Sequence, residues 1–385
     1  MHLVDYALRY SNKTFKDIPF NEVDALLFAQ LSYYDYRVFN AEEITFSEIA
    51  KHPNILKATN LKNLIGKEDE KLFNIVVDSR RYKDVKIYNH TNDFDEEKVQ
   101  QFSATTFEVT KDLAVIAFRG TDGTVVGWHE DLNMTYMFPI PCQSAAQKYL
   151  NKVLPRMHRS VVVVGHSKGG NIAVYASVMA KDKYRDRIKA VYNFDGPGFN
   201  ESFYDLDAYK SMENKLYKFI PPQSAVGRMM KVKKDYKVVK SDAQYMMQHW
   251  AHTWLINDLK FDYAEGTDFF SETMEYTTEE VLQNMTKHER KEAVNLMFEI
   301  LKKTNCNYME EIPKKKENIL LCLKEYNQLK DKKENIRKLA IELLKPFIRS
   351  YADREYTAAK DIIKEKTTQV IDVVKDKVKT YLRKD

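Results

Sequence analysis

The stretch Val161-Val162-Val163-Val164-Gly165-His166-Ser167-Lys168-Gly169-Gly170-Asn171-Ile172-Ala173 decides how this 385-residue chain is read. Four consecutive valines ending in glycine predict a strand buried on both faces. The following NIAVYASVMAK predicts a helix. Between them stands the pattern G-x-S-x-G. A serine on a sharp strand-to-helix turn is held in a strained backbone conformation, and the residues two before and two after it must be small. Gly165 and Gly169 meet that demand, and Gly170 adds to it. Such a turn lifts the hydroxyl above the sheet, and the helix behind it directs its positive dipole end at the reacting centre. The plainer alternative is a strand-to-helix turn with a capping serine.

Outward from the elbow, strand and helix alternate. FSATTFEVT and DLAVIAFRG predict two strands upstream, SAAQKYLNKVLPRM a helix, and IKAVYNFDG, KLYKFIPP and DYKVVKSD further strands. Alternation of this kind predicts a parallel sheet covered by helices. Further upstream, KLFNIVVDSRRYKDVKIYNHTND predicts a helix and a short strand. Asn21 to Phe39 predicts a helix with Asn21 as its cap. Nine of the 11 glycines fall between Gly120 and Gly227, so the demanding turns are concentrated there.

A second chemical signal is Val115-Ile116-Ala117-Phe118-Arg119-Gly120-Thr121-Asp122, followed by Gly127-Trp128-His129-Glu130-Asp131-Leu132. Acyl transfer needs donors aimed at a developing oxyanion. The Thr121 N–H and hydroxyl are candidates, joined by the Lys168 N–H from the residue after the serine. Taken alone, F-R-G-T-D is also an ordinary turn.

The pairing of VIAFRGTDGTVVGWHEDL with VVVVGHSKGGNIA resembles the class 3 lipase group of α/β-hydrolases. Those enzymes carry an F-R-G-[ST] oxyanion strand, a tryptophan and an Asp-Leu shortly after it, and a G-H-S-x-G-[GA] elbow. The lysine in GHSKGGN, with YNFDGPGFN and QHWAHTWLI, resembles a less characterised bacterial branch of lipase-like proteins. The resemblance covers roughly residues 21–259 and implies an α/β-hydrolase fold and a serine esterase-type site. It fixes no substrate, because fold and function separate easily.

In that fold the chain order is Ser, then Asp or Glu, then His. His249, His252 and His288 follow Ser167. His249 stands just after the last predicted sheet strand, where the base belongs and where the resemblance also places it. His252 is the fallback, and His288 sits in a charged helical segment. The acid is open. The loop Lys218–Gly227, where the resemblance implies it, contains no carboxylate. Asp195, at the end of the preceding strand, is the first candidate and Asp242 a third possibility; Asp195 is also readable as a turn residue before Gly-Pro-Gly. His166 reads as a packing residue of the elbow, and Trp128, Trp250 and Trp254 as core or pocket wall. The Lys168 side chain reads either as a holder of an anionic head group or as a solvated first-turn lysine.

The expected organisation is an α/β-hydrolase domain over residues 1–276, with a mostly parallel sheet flanked by helices, and a helical, basic extension over 277–385. From Glu311 to Asp385 there are 20 Lys and Arg against 13 Asp and Glu, so the formal net charge of +5 belongs to the tail. That argues against nucleic acid as the partner of the whole chain. Helices are expected at Glu279–Leu301, Lys314–Ile348 and, amphipathic, Tyr351–Leu382; peripheral membrane contact and self-association through them are both open. No window reaches the roughly 18 unbroken apolar residues of a membrane span. The N-terminus lacks signal-peptide order, and three scattered cysteines suit a reducing compartment, so a cytoplasmic location is expected. The function expected is hydrolysis of a small acyl ester, thioester or lipid through an acyl-enzyme, without metal or organic cofactor. The alternative is a catalytically weakened binding or scaffolding protein of the same fold, motivated by the missing carboxylate near Gln223 and Ser224.

Overall fold

The computed structural model describes residues 1–55, 66–233, 235–329 and 332–341. The chain divides into two compact units, one over Met1–His288 and one from Glu289 onward. The first is built on an eight-stranded sheet whose spatial order follows the chain: β1 (Glu43–Thr45), β2 (Lys86–Asp95), β3 (Gln100–Thr110), β4 (Leu113–Phe118), β5 (Ser160–His166), β6 (Ile188–Phe194), β7 (Leu216–Ile220) and β8 (Lys237–Val238). β1 to β4 pair antiparallel, and β4 to β8 pair parallel. Helices α1 (Glu22–Leu31), α2 (Lys67–Asp78), α3 (Val125–Asn133), α4 (Pro141–Val153), α5 (Lys168–Val178) and α6 (Phe269–Asn284) complete the frame. This is the α/β-hydrolase fold.

The valine run shows why the centre of the sheet is stable. Successive side chains point to opposite faces of a strand. Val162 and Val164 join the apolar cluster on one face, with Val23, Leu26 and Phe28 of α1. Val161 and Val163 join the cluster on the other face, with Leu150 and Val153 of α4 and Ile172 and Val178 of α5. All four valines are buried. A polar residue at any of these positions would face apolar packing on either side, which is why the strand shows no alternation.

Parallel pairing brings the carboxyl ends of β4, β5, β6 and β7 to one edge. Phe118 pairs with Gly165, His166 with Phe194, and Phe194 with Phe219. The residues that follow those strands therefore emerge side by side, and open α/β sheets gather their chemistry at this edge.

Some elements differ from the sequence expectation. Asn21 does cap α1, accepting from the Val23 and Asp24 N–H groups, but the helix ends at Leu31 and a separate 3₁₀ turn covers Tyr36–Phe39. β2 is ten residues long rather than short. Its length comes from full pairing along β3, with a bulge between Tyr88 and Thr91. DYKVVKSD contributes only Lys237–Val238, since Val239 and Ser241 turn away to bridge Tyr263 and Trp254. The helix expected at Glu279–Leu301 is two helices, α6 and α7 (Lys287–Lys302). The break falls at Met285, whose backbone is extended. Within the second unit α8 (Lys316–Asn327) is shorter than the predicted 314–348 segment, and residues 334–341 are again helical. Val294, Met297, Leu301, Cys322, Ile336 and Ala340 are buried there. The amphipathic helix expected over 351–382 lies outside the described residues. No helix among the described residues is long and apolar enough to cross a membrane.

Candidate active site

Ser167 is the first residue after β5 and the N-cap of α5, with φ 58° and ψ −135°. A positive φ on a non-glycine residue costs about 1–3 kcal/mol and persists only where the surroundings over-determine it. Here the Ser167 N–H donates to the Phe194 carbonyl (2.9 Å), and the Ser167 carbonyl accepts from Gly170 N–H (2.9 Å). Close packing adds the rest. A Cβ on Gly169 would lie 2.2 Å from the Phe118 carbonyl oxygen, so only glycine lets α5 pass over the end of β4.

That contact sets the oxyanion segment against the elbow. A Cβ on Gly120 would sit 3.2 Å from Ser167 Cβ, which places Thr121 one residue beyond a direct approach to the serine. The Lys168 N–H is at the first helical position and has no intrahelical acceptor. The Thr121 hydroxyl, expected to face a reacting carbonyl, donates instead to Asp131 Oδ2. Of the two donors expected from Thr121, the N–H is the one left for a ligand.

The Lys168 side chain departs from both of its expected roles. It is about 1% exposed, and its Nζ lies 3.1 Å from Glu130 Oε2 and 3.2 Å from Asp131 Oδ1. Helical side chains point back toward the N-terminus, so a first-turn lysine on α5 runs beneath the oxyanion segment to α3, where the carboxylates are. Glu130 is anchored further, its Oε2 accepting from Gln101 N–H (2.9 Å) and its Oε1 from Cys142 N–H (2.7 Å). Burial alone would lower the Lys168 ammonium pKa, but Asp131 and Glu130 outweigh it and hold the group well above its usual range. Burial pushes the Asp131 carboxyl up, against the pull of Lys168.

Asp195 follows β6, with its own positive φ of 51° and complete burial. Its N–H donates to the Phe219 carbonyl (2.8 Å). Its Oδ2 lies 2.6 Å from His249 Nδ1, and its Oδ1 accepts from the Ser224 hydroxyl at 2.5 Å. Ser224 belongs to the very loop that lacks a carboxylate. That loop also supplies Gly227, where a Cβ would come within 2.2 Å of Asp195 Oδ1. Lys218 Nζ donates to the Gly196 carbonyl (2.8 Å), bracing the turn behind the acid.

His249 ends a 3₁₀ turn over Tyr245–His249. Gln248 pins this turn, donating to the Ala243 carbonyl (2.9 Å) while its Oε1 accepts from Gln223 N–H (2.8 Å) and its carbonyl from Trp254 Nε1 (2.8 Å). His166 Nε2 donates to the His249 carbonyl (2.7 Å), and the two imidazoles stand 4.7 Å apart. The other His166 nitrogen therefore accepts, and the Tyr33 hydroxyl donates to it at 3.2 Å. Burial, with His249 nearby, pushes His166 down to about 3.

Of the other candidates, Asp242 is half-exposed and meets His2 Nε2 at 2.8 Å, away from His249. His252 is held by Asp69 (2.6 Å), and His288 is exposed. Trp254 is buried as core, whereas Trp128 and Trp250 are exposed, as are Tyr245, Met246 and Met247 beside His249. Sequence reasoning gives no role to Tyr33, Glu130 or Ser224: each is a common residue type, brought to the site by tertiary packing. Among the described residues, no group of three His, Cys, Asp or Glu side chains is placed to hold a metal ion.

A family model described as Mbeg1-like matches residues 76–299. A search of curated proteins finds no significant match. Among solved structures, the chain is similar to a mutant of MDLA from Penicillium cyclopium, with 13% identity, 64% of this chain and 87% of that one covered, and a TM-score of 0.39. It is similar to M37 lipase at 15% identity, with 54% and 69% covered and a TM-score of 0.36. It is also similar to lipase II from Rhizopus niveus at 12% identity, with 63% and 87% covered and a TM-score of 0.35.

Proposed function

The chain belongs to the Mbeg1-like family, and on that premise we propose that it is a serine-dependent acyl hydrolase with Ser167 as nucleophile, His249 as base and Asp195 as acid. The observation that carries the proposal is the 2.6 Å contact between His249 Nδ1 and a fully buried Asp195 carboxylate, at the sheet edge from which Ser167 emerges. An acid in contact with His249 supports the hydrolase reading over a weakened binding protein.

In the proposed reaction, Asp195 keeps the proton on Nδ1 and leaves Nε2 as the base. His249 takes the Ser167 proton, and the serine oxygen attacks the carbonyl carbon of an ester or thioester. The Thr121 and Lys168 N–H groups stabilise the oxyanion. His249 then protonates the leaving alcohol or thiol, and a water molecule repeats the sequence to release the acid. The imidazolium formed on the way meets no like charge from His166, which stays neutral at working pH because burial pushes its pKa to about 3.

The exposed Tyr245, Met246, Met247 and Trp250 flanking His249 favour an acyl or lipid substrate over a polar one. A cytoplasmic setting belongs to the same proposal. Turnover of p-nitrophenyl esters from acetate to octanoate tests it. Ser167→Ala is expected to lower kcat by about 10⁴-fold or more, and an undiminished rate would refute it.

A further inference from the structure

We propose that the Lys168 side chain is the positioning residue of the oxyanion pocket, acting through Asp131 on Thr121. The inference rests on Ser167 being the nucleophile. The backbone of Lys168 follows that serine directly. Its Nζ lies 3.2 Å from Asp131 Oδ1, and the opposite oxygen of the same carboxylate takes the Thr121 hydroxyl. The two residues whose N–H groups face the developing oxyanion are thus tied to one another by a closed path of side chains. The path has a fixed footing, because Nζ also meets Glu130 Oε2, and Glu130 is held by N–H groups from β3 and the start of α4.

Energetics argue against a role in stability alone. Lys168 and Glu130 are almost completely buried, and Asp131 is largely so. Burying charges carries a desolvation cost for each ion, and an apolar replacement of a buried pair is often neutral or stabilising. A leucine or methionine after the serine would fill the space more cheaply. What the ion pair supplies and an apolar residue does not is direction. The Thr121 hydroxyl donates to Asp131 Oδ2, and Nζ beside Oδ1 fixes which way the carboxyl group faces. Productive donor geometry tolerates only about 0.5 Å of error, and Gly120–Gly123 lie between β4 and α3 outside any strand or helix.

The test uses the full chain with Lys168→Met, Asp131→Asn and the double variant. Three quantities are read: kcat and KM on p-nitrophenyl butyrate, the inhibition constant of an alkyl trifluoromethyl ketone, which adds to serine to give an oxyanion, and the thermal midpoint. Lys168→Met is expected to lower kcat by about 10²-fold with KM within about twofold, and to weaken the ketone by a similar factor. The double variant leaves Glu130 with its two N–H donors but without a cation, so it is expected to regain part of the thermal midpoint lost in Lys168→Met while kcat and ketone affinity stay low. Recovery of kcat together with the midpoint would overturn the inference, as would a loss confined to KM. If Lys168→Met does not fold, the double variant alone decides, and a wild-type kcat in it overturns the inference. Absence of any ester turnover by the wild-type chain would instead remove the nucleophile reading beneath it.

Discussion

Asp195 divides its two carboxylate oxygens between His249 Nδ1 at 2.6 Å and the Ser224 hydroxyl at 2.5 Å, and is itself closed to solvent. Replacing the carboxylate by an amide keeps the shape and reverses the hydrogen-bond logic, because the amide would present a donor or force the wrong imidazole tautomer. Asp195→Asn is therefore expected to lower kcat by about 10⁴-fold with little change in KM. Ser224→Ala removes one of the two bonds and is expected to cost about tenfold, roughly 1.4 kcal/mol. Steady-state kinetics on a short p-nitrophenyl ester check both. A Ser224→Ala loss as large as that of Asp195→Asn would mean the hydroxyl does more than orient the acid.

Gly169 and Gly227 should be intolerant of a methyl group for different reasons. Gly169→Ala drives a Cβ to 2.2 Å from the Phe118 carbonyl, a backbone atom of the central sheet that cannot move aside. A loss of about 1–3 kcal/mol in unfolding free energy is expected. Gly227→Ala presses on the Asp195 carboxylate itself, so its effect should appear in kcat as well as in stability. Urea titration and kinetics on both variants separate the two.

His166 gives the stability a pH dependence of known sign. Its folded pKa is pushed from 6.5 to about 3 by burial, so the unfolded chain binds more protons between those values. Its contribution is therefore constant above about pH 6.5 and is lost as pH falls toward 3, up to a few kcal/mol in all. His166→Phe is expected to flatten that part of the acid limb. An unchanged slope in urea titrations between pH 6.5 and 4 would count against a buried neutral imidazole.

The Asp24–Arg81 pair stabilises the wall behind the sheet. Both side chains are fully buried and meet at 2.6 Å. Asp24 also accepts from the Tyr82 hydroxyl (2.9 Å), and the guanidinium lies 4.1 Å from the Phe15 ring centroid. Arg81→Met leaves a buried carboxylate without its cation, and a loss of about 3–5 kcal/mol is expected. Joint replacement of Asp24 and Arg81 by apolar residues should restore much of it, as read by the thermal midpoint.

The sheet was legible in the sequence because its central strands are buried on both faces and leave unbroken apolar runs, as in Val161–Val164 and Leu113–Phe118. The elbow was legible because its steric demand writes glycine at fixed offsets from Ser167. The contact of Asp195 with His249 was readable only as one of several possibilities, since chain order limits which carboxylates qualify but not which one folds against the ring. The ion pair of Lys168 was not readable at all. A lysine in a first helical turn is ordinarily solvated, and only the approach of α3 to α5 converts it into a buried cation between Glu130 and Asp131. Tyr33 is invisible for a similar reason: its hydroxyl reaches His166 across more than a hundred residues of chain.

The central claim is that Ser167 is an activated nucleophile. Its most direct test is labelling of the folded chain with a fluorophosphonate probe, followed by peptide mass spectrometry. A single adduct on Ser167 is expected, and it disappears in His249→Ala and on unfolding. Folded wild-type protein that takes no label at Ser167, or takes it equally without His249, would contradict it.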